Sequence, residues 1–417
     1  MKIKVEPIKS INGTVTISGS KNTILPLMVC SMLSKEEVVL NNVPKISDVE
    51  VMKSLLKDIG ITIKHDYEKK QLILKKEKIK KVNNLDLIKK IRASIYVIGG
   101  LVANRINFKS CYPGVCSFSN RPINYHLDFF KKLKYKITIK NNVLHFKKTK
   151  SNSQLIKYTL PQKSLGATIN ILYTSVLRKN TTIIENASLE PEVLEVIKML
   201  NLMGAYIKIY NDTILIKGVR KLKGTEFNVV SDRIEAGSYM LLACAVDKSD
   251  VIIKNVDCIY LSEVIETVKQ LGVNIKIHEN NVRIVKEYPT KGVNKKASYY
   301  PMFPTDLQQI LTVTCLNSIT SSIIVDEVYP ERISQIKEIK KANGKVMYKD
   351  KKIYINRSNI NSSNFYAHDL RCGFACIILS ILADNVSTIE NFEIVLRGYE
   401  DILDKLTALK IKIYLVE

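Results

Sequence analysis

The chain has 417 residues, 64 of them Lys or Arg against 40 Asp or Glu, for a net charge of +24, and 46% are hydrophobic. That length exceeds one simple core and predicts two or three domains. No run of 18 apolar residues occurs and the first residues turn polar at once, so the expectation is a cytoplasmic protein with neither a membrane span nor a signal peptide. Only 11 of the 64 basic residues are Arg, and the Lys are spread over most of the chain. That spread argues against a nucleic-acid partner and for a substrate rich in negative charge. The eight Cys include Cys30, Cys244, Cys315, Cys372 and Cys376 in apolar helical patterns, with no CxxC pair. Neither a disulfide framework, nor a metal site, nor a cofactor is expected.

In chain order, residues 1–18 form a leftover strand segment outside any repeat, expected to complete the last lobe. Six segments then share one grammar: a helix, a β-branched strand with a polar end, a second helix, and a hairpin. The first strands fall at 38–42, 106–110, 183–186, 252–255, 323–327 and 388–391, about 70 residues apart. The second helices of three repeats stop at Gly60, Gly204 and Gly272, while the last repeat has Lys410 there. The first helices have one strongly apolar face and belong inside, with sheets outside. The predicted fold class is α/β, with six α+β units in two lobes of three. One lobe comprises 1–20 and 231–417, the other 21–230.

Each first helix opens on a polar cluster. These are Gly19-Ser20-Lys21-Asn22, Lys90-Ile91-Arg92-Ala93-Ser94, Ser164-Leu165-Gly166-Ala167-Thr168, Ser231-Asp232-Arg233, Pro304-Thr305-Asp306 and His368-Asp369-Leu370-Arg371. Six such N-termini facing one cleft would make an anion site. Ser94 and Ser231 read as simple N-caps. Asp306 and Asp369 also fit N-caps, and His126 fits a packing residue. Cations are disfavoured at helix N-termini, so Lys21, Arg92, Arg233 and Arg371 need another reason to be there. Where Lys is the default cation, Arg92, Arg121, Arg233, Arg332, Arg371 and Arg397 mark places where guanidinium geometry matters. Between the second strand and the next helix runs the loop Pro113-Gly114-Val115-Cys116-Ser117-Phe118-Ser119-Asn120-Arg121-Pro122. It places a thiol near a guanidinium and reads as a lid with a reactive sulfur and an anion hook.

Eight motifs in order resemble the UDP-N-acetylglucosamine 1-carboxyvinyltransferase family of enolpyruvyl transferases. They are 19–26, the Pro-Gly-x-Cys…Arg-Pro loop, 164–168, Glu190-Pro191-Glu192, 232–237, 303–306, 369–371 and Arg397-Gly398-Tyr399-Glu400. The resemblance implies two inside-out α/β barrels of three repeats each. It implies transfer of enolpyruvyl from phosphoenolpyruvate to the 3′-hydroxyl of UDP-N-acetylglucosamine, the first committed step of peptidoglycan synthesis. By the same resemblance Cys116 is the general acid and Asp306 the base. Lys21, Arg121 and Arg397 hold phosphoenolpyruvate, and Arg92 and Arg371 are further cleft cations. Asn22, His126, Ser164, Leu165, Gly166 and Val328 lie near the nucleotide sugar, and Asp369 near the reacting centre. It further implies no cofactor, a monomer or weak homo-oligomer, and alkylation of Cys116 by fosfomycin. The sequence departs from the family at Val115 and Ser119, which stiffen the lid, and at Asn124 and Gln162. Competing readings are a 5-enolpyruvylshikimate-3-phosphate synthase, which would not carry the Cys loop, and a basic binding protein on a decayed scaffold.

Overall fold

The computed structural model describes residues 1–114, 122–149 and 155–416. The chain folds into two compact units and passes between them at Ser18–Gly19 and again at Val230–Ser231. Among the described residues no helix is long and apolar enough to cross a membrane.

The unit that starts at Gly19 has three inner helices, Lys21–Cys30, Ser94–Ala103 and Leu165–Ser175. Their residues are almost all buried, because each is apolar nearly all round rather than along one stripe. Ser20 and Ser164 cap the first and third, accepting from the amides of Thr23 and Ala167. Three sheets cover these helices, with strands that alternate buried and exposed residues. In one, Val38–Asn41 pairs antiparallel with Gln71–Lys76, and parallel with Thr225–Asn228 from the end of the unit. The last repeat thus closes onto the first. In another, Thr181–Glu185 pairs parallel with Ile156–Thr159 and antiparallel with Thr213–Lys217. The third has only the strands Phe108–Cys111, Val143–Lys148 and Tyr135–Lys140. The segment before its inner helix folds as the short helix Leu85–Lys90 instead of a fourth strand.

The other unit repeats the plan with inner helices Arg233–Ala245, Gln308–Thr314 and Leu370–Leu382. Residues 1–18 complete it. Lys2–Val5 inserts antiparallel between Ser387–Glu390 and Ile413–Val416, and Ser10–Thr16 pairs parallel with Lys248–Lys254. The last repeat therefore borrows its second hairpin strand from the start of the chain. Both units are inside-out α/β barrels, with helices forming the core and sheets facing outward.

Two backbone devices recur. The outer helices Ser47–Asp58, Asn124–Lys132, Pro191–Leu202, Ser262–Gln270, Ser334–Lys341 and Ile402–Ala408 are each followed by a left-handed residue, in order Gly60 (φ 97°), Lys134 (φ 64°), Gly204 (φ 97°), Gly272 (φ 81°), Asn343 (φ 60°) and Lys410 (φ 67°). In four repeats the first strand ends on a left-handed Asn. The side-chain amides of Asn42, Asn186, Asn255 and Asn391 donate to the carbonyls of Val229, Leu160, Ile17 and Ala367. Each bond ties a first strand to a segment that leads, in sequence, into an inner helix.

Two expected N-caps are corrected. Ser94 lies inside its helix, and its hydroxyl reaches back to the carbonyls of Ile88 (2.7 Å) and Ile91 (2.8 Å). Ser231 precedes the cap. It is held by Asp257, whose Oδ2 accepts from the Ser231 amide (2.9 Å) and hydroxyl (2.8 Å). Asp232 caps that helix instead. In both cases the helix starts one residue away from the expected place, so the serine is not at the cap position and its side chain bonds elsewhere.

Candidate active site

Asp306 lies in the single 3₁₀ turn Thr305–Leu307, ahead of the inner helix Gln308–Thr314. Its side chain makes no N-cap bond there. Instead Oδ1 accepts from Arg332 Nη1 at 2.7 Å and Oδ2 from Arg371 Nη2 at 3.0 Å. Burial opposes ionisation, but the charges and hydrogen bonds of Arg332 and Arg371 outweigh it and hold the carboxyl well below the usual range. Arg332 is reached through the turn after Ser322–Asp326. Asp326 Oδ1 takes the amides of Val328 (2.9 Å) and Tyr329 (2.8 Å). Thr305 donates to Asp326 Oδ2 at 2.6 Å. The half-buried Val328 is thereby placed on the same turn.

Arg371 sits in the first turn of Leu370–Leu382, a poor place for a cation on dipole grounds. Burial works against its charge. The Tyr399 ring, 5.4 Å from the guanidinium carbon, and the carboxylates of Asp306 and Asp232 more than compensate and push its proton affinity up. Ser238 donates to the Ile234 carbonyl at 2.6 Å, so the Tyr399 hydroxyl is the donor to Ser238 at 2.8 Å. Arg371 is thus the point where the three inner-helix N-termini of this unit meet electrostatically. Arg397 ends the turn Phe392–Arg397, two residues before Tyr399, and is half-buried.

Asp369 is the N-cap of Leu370–Leu382. Oδ1 accepts from the amides of Arg371 (2.9 Å) and Cys372 (3.1 Å). Oδ2 accepts from Ser334 Oγ (2.8 Å) and Gln309 Nε2 (3.3 Å). All four partners belong to the fold, and the residue is buried.

In the other unit Lys21 occupies the first turn of its helix and pairs with Asp48 at 2.9 Å, which offsets the dipole penalty. Asn22 follows it, half-buried. His126 is buried on the helix Asn124–Lys132. Burial and then the charge of Arg92 push its pKa down to about 3, so it is neutral at physiological pH. Asn170 Nδ2 donates to His126 Nδ1 at 2.8 Å, which leaves the proton on Nε2. That edge faces the third inner helix, where a methyl on Gly166 would stand 3.2 Å from Cε1 and 3.4 Å from Nε2. Arg92, His126 and Ser164–Gly166 therefore form one cluster, in which Ser164 also serves as N-cap and Leu165 packs on the core.

Cys116, Arg121, Val115 and Ser119 lie outside the described residues. Among the described residues, no three His, Cys, Asp or Glu side chains are arranged to hold a metal ion. Arg332 and Tyr399 were not expected as site residues. The scarcity of Arg pointed at the first, the 397–400 motif contains the second, and packing shows that its ring meets Arg371.

Comparisons with known proteins identify the family and the fold. A sequence profile described as EPSP synthase (3-phosphoshikimate 1-carboxyvinyltransferase) matches residues 5–406. UDP-N-acetylglucosamine 1-carboxyvinyltransferase of Thermotoga maritima is 33% identical over 100% of this chain and 99% of its own. UDP-N-acetylglucosamine 1-carboxyvinyltransferase 2 of Listeria monocytogenes is 36% identical over 98% of this chain and 96% of its own. The enolpyruvyl transferase NikO from Streptomyces tendae superposes with a TM-score of 0.88 at 17% identity, covering 99% of this chain and 98% of that one. EPSP synthase from Acinetobacter baumannii gives 0.75 at 17% identity over the whole of both chains. The chain therefore belongs to the UDP-N-acetylglucosamine 1-carboxyvinyltransferase family and is an enolpyruvyl transferase.

Proposed function

We propose that the acceptor is the 3′-hydroxyl of UDP-N-acetylglucosamine and the donor phosphoenolpyruvate, and that the product enters peptidoglycan synthesis in the cytoplasm. The relatives' names support both substrates. In the addition step Cys116 gives its proton to C3 of phosphoenolpyruvate, the sugar oxygen bonds to C2, and Asp306 takes the hydroxyl proton. In the elimination step a C3 proton returns to the Cys116 thiolate, the C2=C3 bond reforms, and phosphate leaves with the electron pair of the broken C2–O bond and takes the proton held by Asp306. Lys21, Arg121 and Arg397 hold the donor's phosphate and carboxylate, with Arg92 and Arg371 as further cations. Asn22, His126, Ser164, Leu165, Gly166 and Val328 contact the nucleotide sugar. His126, being neutral, acts as an Nε2–H donor and not as an acid. Asp369 orients the start of the helix that carries Arg371 and stands near the reacting centre. Cys116 is also the residue whose sulfur fosfomycin alkylates in this reading.

The observation that carries the proposal is Asp306 shared between two guanidinium groups. A carboxylate held this way stays ionised but is a weak base. An anionic donor that draws Arg371 away from Asp306 would raise its proton affinity, so that donor binding and activation of the base become one event.

The test is phosphate release from phosphoenolpyruvate with UDP-N-acetylglucosamine, with shikimate 3-phosphate, and with neither. Release only with the nucleotide sugar, together with the enolpyruvyl product by mass, is expected. Release only with shikimate 3-phosphate would reassign the acceptor, and release with neither from folded protein would overturn the reading.

A further inference from the structure

The inner helices Ser94–Ala103 and Leu165–Ser175 carry the Arg92, Ser164 and Gly166 cluster at their N-terminal ends. At their other ends, about 15 Å away along each helix axis, lies a separate pocket of about 40 Å³. It is lined by Arg105, Lys148, Arg178, Thr174 and Tyr135, with apolar walls that include Leu133 and Leu177. Three of its lining residues are cations and none is acidic. Arg178 is only 5% exposed. Two of the chain's 11 Arg thus meet here, in a protein whose default cation is Lys.

Helix C-termini favour a nearby cation, because the unpaired carbonyls there carry partial negative charge. That accounts for an Arg after each helix. It does not account for turning both into one concavity beside Lys148, because like charges at close range repel. Burial and then the charge of Arg105 both lower the proton affinity of Arg178, the signature of a guanidinium in a positive field. Thr182 Oγ1 accepts from its Nη1 at 2.7 Å. The pocket has room for about three water molecules, on the order of the space one tetrahedral oxyanion needs. Guanidinium forks match such an anion bidentately.

We propose that this pocket is a second anion site, selective for a single phosphate group, free or as the end of a small phosphomonoester. It is independent of the enolpyruvyl reading, because none of its residues belongs to the candidate active site.

The test titrates inorganic phosphate, and in a second arm glycerol 3-phosphate, into the whole protein, followed by ³¹P line broadening at ionic strength held constant with chloride. Arg105→Glu removes an exposed cation, and Lys148→Ala is the second variant should the first fold poorly. The expected result is at least tenfold weaker binding of one phosphate in the variants, with enolpyruvyl transfer unchanged. Binding of the monoester as well as free phosphate would show that the pocket takes a terminal phosphoryl group. Exclusion of the monoester would restrict it to the free ion, and both outcomes uphold the site. Identical phosphate isotherms for parent and both variants would overturn it.

Discussion

Asp306 divides its two oxygens between Arg332 and Arg371, and that division sets what the residue can do. Asp306→Asn keeps the shape but removes the charge both guanidinium groups were placed to meet. Turnover should fall about 10²- to 10⁴-fold, the usual worth of a positioned base, while phosphoenolpyruvate binding persists by calorimetry. A variant with parental turnover would end the assignment. Asp369 poses a different question, since its fold role is fully accounted for. Asn caps as well as Asp but replaces the Oδ2 that accepts from Ser334 and Gln309 by a donor, so Asp369→Asn should lose less stability than Asp369→Ala, whose lost cap alone is worth about 1–2 kcal/mol. Full turnover in the Asn variant would remove Asp369 from the catalytic set. Of these arrangements the sequence showed the residue types and their place before apolar helices. It did not show that Asp306 meets a residue 26 positions on and another 65 positions on, because such pairings follow from which sheets and helices stack.

At the scale of elements, the left-handed residue after each outer helix was legible only where it is Gly. Lys134, Asn343 and Lys410 adopt the same conformation without the glycine that announces it. A non-glycine there costs roughly 1–2 kcal/mol. Lys410 is exposed, so Lys410→Gly should raise unfolding free energy by up to about 1 kcal/mol, the relief being partly offset by a more flexible unfolded chain. Urea melts check this, and a destabilised variant would show that the Lys410 side chain makes a contact worth more than the strain. A second device sits at the start of Arg233–Ala245. Buried Glu235 accepts from the Ser18 amide at 2.9 Å and from Lys405 Nζ at 2.6 Å. Burial, only partly offset by Lys405, pushes its pKa up to about 7. The folded state therefore holds a proton that the unfolded chain releases near pH 4.5. The associated stability is present below that pH and lost as pH rises through about 7. Glu235→Gln should flatten this slope in thermal melts between about pH 4.5 and 7, and an unchanged slope would exclude Glu235 as its source.

For the whole molecule, closure is the organising constraint. Three repeats per unit leave one sheet short of strands unless the chain returns, and the N-terminal segment does so. Ile3 and Val5 are fully buried in the sheet they complete. Ile3→Ala should cost about 2–5 kcal/mol and speed hydrogen exchange in Ser387–Glu390 and Ile413–Val416. Exchange unchanged in those strands would mean they hold together without the inserted one. Periodicity revealed the six repeats, the inner helices and the outward sheets, since burial of apolar faces is a local requirement repeated along the chain. The motifs, read in order, revealed the family. Only the tertiary structure decided which arginines hold Asp306, that His126 is neutral, between which two strands Lys2–Val5 inserts, and that two of the scarce arginines meet behind the inner helices. Those outcomes depend on charge and burial between groups far apart in sequence, which hydrophobic period cannot encode.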